Sequence, residues 1–198
     1  MSFLDSRLYR WMDTLADFFL LNLLWLLACV PLVTLFPATA ALFAVVRDWV
    51  RGKETGVFKP FFRYLRENFT QSLVVGLAWT MVGLVLLADY LFVRQITSWA
   101  RAPLLALLFL WVLAYLGTAV YLFPVMVQFR TGWWQVIKNS FFIAFSRPGL
   151  APTFLCFLIV ALAGLVLYYV PLSFLITGSV TAYLIYNLCH RVFGQLPY

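Results

Sequence analysis

Residues 18–46 read FFLLNLLWLLACVPLVTLFPATAALFAVV, a run of 29 residues without a charged side chain. A helix needs about 20 mostly apolar residues to cross the hydrocarbon core of a bilayer. The run is long enough for one crossing helix and a second, shorter one, and Pro31 and Pro37 mark the break between them. This stretch therefore predicts membrane-spanning helices at the start of the chain.

The composition of the whole chain agrees with that prediction. Of the 198 residues, 65% are hydrophobic and only 11% are charged, whereas soluble domains are roughly half apolar and about a quarter charged. We therefore expect an integral membrane protein, because these values fit neither a soluble nor a disordered chain. The formal net charge of +7 does not indicate a nucleic-acid partner, since so apolar a chain has little surface for a clustered basic footprint.

Apolar runs alternate with polar stretches along the rest of the chain. We predict an all-α fold: a polytopic membrane helix bundle in a single membrane domain, residues 1–198, with about six membrane helices. Five of these are full spans and one is short or kinked. The predicted spans are 17–36, 38–50, 72–92, 102–127, 150–170 and 172–189. Span 38–50 is the short one, and the sequence leaves open whether it crosses fully, tilts or re-enters.

Two stretches between the spans have the pattern of amphipathic helices at the cytoplasmic membrane surface. In residues 58–70, aromatic and basic side chains alternate at helical spacing, and residues 132–145 carry a second aromatic and basic stretch. The pattern in the first stretch places Phe58, Phe61 and Phe62 on a shared face. The candidate partner-docking residues are Phe58, Phe61, Phe62, Arg63, Arg66, Trp133, Trp134, Lys138 and Arg147. The same side chains also suit anionic lipid headgroups, at about 1 kcal/mol per basic residue, and both interpretations stay open.

The distribution of basic residues predicts the orientation. With six crossings, 12 of the 14 Lys and Arg residues lie on the side of the two termini, and only Arg94 and Arg101 lie on the other side. The positive-inside rule then places both termini in the cytoplasm of a multi-pass plasma-membrane protein. If span 38–50 does not cross, the distribution becomes 10 against 4, so the charges favour six crossings.

Polar residues within the spans are few, and such residues are candidates for function. The candidates among them are Asn22, Asp89 and Asn187. We expect a hydrogen bond between Asn22 and Asn187 to join the first span to the sixth, at about 0.6–2 kcal/mol. We expect Asp89 to form an ion pair with Arg94 or Arg101.

Sequence motifs for catalysis or metal binding are missing. The chain has one histidine, His190, no Walker A motif, and no cysteine pair with metal-ligand spacing. We therefore expect no catalytic residues, no metal and no cofactor.

Five segments of the chain match a known family pattern. They are NLLW at 22–25, PLVTLFPATAAL at 31–42, Arg51-Gly52, Phe61-Phe62 and ENFTQS at 67–72. In these segments the chain resembles the YesL-like family of small bacterial integral membrane proteins, a domain of unknown function. The resemblance extends in length and helix layout over essentially the whole chain. Phe36 departs from the pattern, because the family leads us to expect glycine before Pro37-Ala38-Thr39.

Members of that family are typically encoded in Gram-positive bacteria beside carbohydrate ABC-importer permeases, solute-binding proteins and polysaccharide-degrading enzymes. The resemblance implies an accessory, non-catalytic subunit of an oligosaccharide ABC importer, with permease and ATPase subunits as its partners. The external loops are very short, so docking would use the cytoplasmic face. Two alternatives stay open: a stand-alone small-solute transporter, and a membrane sensor or scaffold that partners a kinase.

Overall fold

A computed structural model describes the backbone of residues 2–53, 56–97, 99–129, 131–169 and 174–194. Within these residues the chain forms a short 3-10 turn, Leu32–Thr34, and eight α-helices. The helices are α1 Ser2–Cys29, α2 Leu35–Val50, α3 Phe58–Glu67, α4 Phe69–Val93, α5 Arg101–Gln128, α6 Trp133–Phe145, α7 Arg147–Tyr169 and α8 Phe174–Phe193. The predicted all-α membrane helix bundle is confirmed.

The first apolar run breaks earlier than the sequence predicts. Pro31 is in an extended conformation, with φ −76° and ψ 118°, and the residue before a proline is disfavoured in a helix. Helix α1 therefore ends at Cys29, and the predicted span 17–36 is wrong at its carboxyl end. Pro37 lies in the first turn of α2, where its missing N–H costs nothing.

Among the described residues, five helical segments are long and apolar enough to cross a membrane. They are Met12–Cys29, Leu32–Val50, Phe69–Val93, Arg101–Gln128 and Pro152–Tyr169. Helix α8 is not among them, because Asn187, His190 and Arg191 lie near its end. It nevertheless packs against α1, α2, α5 and α7, so α8 is a sixth long helix of the bundle.

Helix α2, the predicted short span, lies at the centre of the bundle. It contacts α1, α3, α4, α5 and α8, and nearly all of its side chains from Pro37 to Asp48 are buried. Its alanines allow neighbouring backbones to approach closely. The indole N–H of Trp25 donates to Thr39 Oγ1 over 3.3 Å, and the ring of Phe43 stacks on Phe123 with centroids 6.2 Å apart.

The packed core is concentrated toward one end of the bundle. In α4 the buried residues lie near its start, apart from Val93, and in α5 they lie between Gly117 and Val127. The end with the core also carries α3 and α6, and we refer to it as the basic end. Its described basic side chains are Arg47, Arg51, Lys53, Lys59, Arg63, Arg66, Lys138 and Arg191.

Candidate functional site at the basic end

Asp48, in the last turn of α2, is a buried acidic side chain at the basic end. Only 2% of its side chain is exposed, against 17% for the neighbouring Arg47. Arg47 donates from Nε and Nη2 to Asp48 Oδ1 over 3.1 and 3.0 Å. A buried carboxylate is costly unless it is paired and hydrogen-bonded. Arg47 supplies both the opposite charge and the hydrogen bonds.

Tyr64 anchors α3 to this ion pair. Its hydroxyl donates to Asp48 Oδ2, and Arg63 Nη2 donates to the Tyr64 hydroxyl oxygen over 2.9 Å. The guanidinium carbons of Arg47 and Arg63 lie 5.2 and 4.8 Å from the centre of the Tyr64 ring, within cation–π range. The inner face of α3 is therefore held by a charged contact as well as by apolar packing.

The same group of side chains extends to α5 and α8. Arg47 Nη1 donates to the backbone oxygen of Val127. Gln128 Oε1 accepts hydrogen bonds from Arg51 Nη2 over 2.8 Å and from the Tyr186 hydroxyl over 2.7 Å. We refer to the whole group as the polar cluster, which consists of Arg47, Asp48, Arg51, Arg63, Tyr64, Gln128 and Tyr186.

Sequence patterns do not identify the polar cluster, because its members come from four helices far apart in the chain. One signal was available. Arg47 and Asp48 stand side by side directly after 29 uncharged residues, in a chain with only seven acidic residues. An adjacent opposite-charge pair in that position indicates a buried, paired carboxylate.

Helix α3 turns a charged and aromatic face outward. Its described side chains line a groove of about 490 Å³: Phe58, Lys59, Phe62, Arg63, Arg66 and Glu67. Phe58 is 58% exposed and Phe62 40% exposed, and their ring centroids are 5.0 Å apart. Arg63 and Glu67 form an exposed ion pair of 3.9 Å. We refer to these six residues as the α3 outer face.

Phe61 does not belong to this face. The sequence places it with Phe58 and Phe62, but its side chain is completely buried. Together with Pro60 and Tyr64, which are also buried, it forms the inner face of α3. The prediction of Phe61 as a partner-docking residue is therefore wrong, and its role is to pack α3 onto the bundle.

Helix α6 exposes a different surface. Val136, Ser140, Ile143 and Ala144 are buried. We refer to its exposed aromatic and basic residues as the α6 outer face: Trp133, Trp134, Lys138, Phe141, Phe142 and Phe145. The amine of Lys138 lies 6.0 Å from the ring centre of Phe142. Arg147 begins α7, and its side chain lies outside the described residues.

The predicted hydrogen bond between Asn22 and Asn187 is wrong. Asn22 is completely buried, and its amide oxygen packs against Gly178 of α8. Asn187 is nine residues further along α8, about 13 Å away at 1.5 Å per residue. A different hydrogen bond connects α1 and α8: the Ser179 hydroxyl donates to the Phe18 backbone oxygen over 2.7 Å.

The predicted ion pair of Asp89 is also wrong. Asp89 is exposed near the end of α4, and the ion pairs found among the described side chains join Arg47 to Asp48 and Arg63 to Glu67. Arg94 follows five residues later on the same helical path, which turns it about 140° away from Asp89.

The described residues do not assemble a metal site. No group of three or more His, Cys, Asp or Glu side chains among them is placed to hold a metal ion. The polar cluster contains a single carboxylate, already paired, so its arrangement suits a structural joint between four helices. The expected absence of catalysis and cofactors stays a prediction.

Comparisons with known proteins give one consistent result. Residues 18–90 match the family model described as a protein of unknown function, DUF624. The chain is similar to the uncharacterized protein YesL of Bacillus subtilis strain 168, with 32% identity over 89% of this chain and 84% of YesL. It is 28% identical to the uncharacterized protein YesV of the same strain, over 85% of this chain and 86% of YesV. No solved structure matches.

Proposed function

The chain belongs to the DUF624 family, and we propose that it is a non-catalytic subunit of the bacterial plasma membrane that docks a partner through its basic end. The proposed partner is a carbohydrate ABC importer, contacted at its permease and ATPase subunits. The choice of partner follows from the resemblance to the YesL-like family, whose members are typically encoded beside such importers. The choice of surface follows from the basic end itself.

The proposed orientation places the basic end in the cytoplasm. Eight described Lys and Arg side chains lie at this end, whereas Arg94 and Arg101 lie at the other. Basic residues are retained on the cytoplasmic side of membrane proteins. Both termini would then be cytoplasmic, since α1 begins and α8 ends at the basic end.

One observation supports docking most directly: the α3 outer face is exposed while the opposite face of α3 is fixed to the core. Phe61 and Tyr64 are buried, and the polar cluster holds the helix in place. A rigid surface loses little conformational freedom on binding, which favours affinity. Phenylalanine and arginine, the residue types that stand side by side on this face, are enriched at protein–protein interfaces.

The test is a purification of the tagged, full-length chain from its own membranes in mild detergent, with mass spectrometry of the proteins that accompany it. We expect permease and ATPase subunits to be recovered with the native chain. Their recovery should fall in a variant with Phe58→Ala and Phe62→Ala. A matched control carries Phe92→Ala and Phe109→Ala, which remove two rings that are more exposed than Phe58 and Phe62 and lie outside the basic end. It should behave as the native chain does.

Recovery of the chain alone, or with a kinase, would contradict the importer proposal. Uptake of a sugar by the purified chain in liposomes would contradict it in another way, because an accessory subunit cannot transport alone. A strain without the gene should also lose uptake of an oligosaccharide that the importer carries.

A further inference from the structure

The α3 and α6 outer faces differ in charge, and this difference separates two roles. On the α3 outer face four of the six groove residues are charged, with Lys59, Arg63 and Arg66 against Glu67. On the α6 outer face Lys138 is the charged member, and it stands beside five aromatic rings. Trp is enriched where a membrane meets water, and Trp and Phe form the apolar face of helices that lie in that interface.

From this contrast we propose that the α3 outer face binds an acidic, amphipathic segment of a partner protein, while the α6 outer face lies in the lipid interface. The proposal rests on the proposed function, since it names the chemistry of the partner segment and the helix that receives it. It does not depend on which protein supplies that segment.

The three cations of the α3 outer face form one stripe. Lys59, Arg63 and Arg66 are separated by four and three residues, so they follow one another along the same side of the helix. Phe58 and Phe62, also four residues apart, form a second stripe beside it. An acidic helix would place its carboxylates on the cationic stripe and an apolar side chain against the two rings, in the helix-to-helix mode that amphipathic segments use.

Glu67 favours a protein segment over a lipid surface, because it adds an opposite charge to the α3 outer face. An anionic leaflet presents phosphates of one sign, so a carboxylate within the face would repel them. Glu67 also lies 3.9 Å from Arg63 and partly neutralises it. A protein segment can match a mixed pattern of charges, and such a pattern gives specificity.

The polar cluster holds the face ready for binding. Arg63 belongs to both the polar cluster and the α3 outer face. Its side chain is 56% exposed, and its Nη2 donates to the Tyr64 hydroxyl oxygen. A carboxylate bound at Arg63 would therefore meet a guanidinium that is already oriented. Lys59 and Arg66 lie outside the polar cluster, so they can be changed without disturbing it.

The experiment is photo-crosslinking of the full-length chain in its own membranes. One variant carries a photoreactive phenylalanine analogue at position 62, and a second carries it at position 142 on the α6 outer face. We expect the probe at position 62 to give a protein adduct whose crosslinked peptide has a net negative charge. We expect the probe at position 142 to give lipid adducts.

A charge reversal makes the test specific. Adding Lys59→Glu and Arg66→Glu to the position-62 probe should lower the yield of the protein adduct roughly tenfold, because two attractions become repulsions. The matched control, Lys138→Glu with the same probe, should keep the yield. A neutral pair, Lys59→Gln and Arg66→Gln, should give an intermediate yield and guards against misfolding of the reversed variant.

Four outcomes would overturn the proposal: lipid adducts alone at position 62, no adduct there, a protein adduct at position 142 only, or an adduct at position 62 that survives the charge reversal. These outcomes are separate from failure of the importer proposal. An acidic adduct at position 62 without importer subunits in the purification would refute the importer and retain the α3 site. Importer subunits crosslinked through position 142 would support the importer proposal and refute the α3 site.

Discussion

At the scale of single residues, Asp48 stands out as the buried acidic side chain in the described part of the chain. Its carboxylate is buried, and it accepts hydrogen bonds from Arg47 and Tyr64. Replacing a buried ion pair by apolar residues is often nearly neutral, whereas removing one partner leaves an uncompensated charge. The pair should therefore behave as a unit.

We predict that Asp48→Leu destabilises the chain by about 3–5 kcal/mol, because Arg47, which is largely shielded from water, is left without its carboxylate. Thermal unfolding of the purified protein in detergent, followed by tryptophan fluorescence, should show a Tm lower by roughly 10 °C. The double variant Arg47→Leu/Asp48→Leu should recover part of that loss. If the losses of stability from the two substitutions instead add up in the double variant, the pair is not coupled as described.

Gly76 and Phe36 form a second residue-scale pair. A methyl group on Gly76 would overlap the Phe36 ring, at the position where the family pattern leads us to expect glycine. We predict that Gly76→Ala destabilises the chain by roughly 1–3 kcal/mol through overpacking. Adding Phe36→Ala should remove most of that penalty, which a double-mutant cycle in unfolding measurements would reveal. If the cycle shows no coupling energy between the two positions, the close contact between Gly76 and the Phe36 ring is contradicted.

At the scale of helices, the sequence predicted the existence of each long helix well and the packing poorly. Apolar runs of about 20 residues identify spans directly, and the predicted spans 72–92 and 102–127 agree closely with α4 and α5. The central position of α2 was not predicted, because span length says nothing about which helix is surrounded. Its alanine-rich composition was the available clue.

The polar contacts were the hardest to predict, for a physical reason. Tyr64 bonds to Asp48 across 16 residues, and Tyr186 to Gln128 across 58. Helical periodicity fixes which residues share a face, but not which faces meet. Phe61 illustrates the limit, since only packing distinguishes its buried side from the exposed side of Phe58 and Phe62.

Helix α3 gives a prediction at this scale. Tyr64→Phe removes the hydroxyl's hydrogen bond to the Asp48 carboxylate, as well as the one from Arg63 within α3. The bond to Asp48 joins α3 to α2 and contributes about 1.5–3 kcal/mol, so its loss loosens α3 from α2. A loss of that free energy should make amide hydrogen exchange in α3 at least tenfold faster, while exchange in α5 stays unchanged. Tyr115→Phe, the same deletion in α5, serves as the control. Unchanged exchange in α3 would contradict the anchoring role of Tyr64.

At the scale of the whole molecule, the two ends of the bundle differ in packing and in charge. The core and the polar cluster lie at the basic end, with the α3 and α6 outer faces around them. Beyond the stacked rings of Trp79 and Tyr115, 4.9 Å apart, most side chains of α4 and α5 are apolar and exposed. This asymmetry suits a bundle that spans the membrane and presents its binding surface at the basic end.

The proposed function depends on the basic end facing the cytoplasm, and labelling of single cysteines tests this most directly. In a background with Cys29, Cys156 and Cys189 replaced by alanine, Lys53→Cys marks the basic end and Gln95→Cys marks the opposite end; both positions are exposed. With a membrane-impermeant maleimide, we predict labelling of Gln95→Cys in intact cells and of Lys53→Cys only after the membrane is opened. Labelling of Lys53→Cys in intact cells would place the docking surface outside and contradict the account.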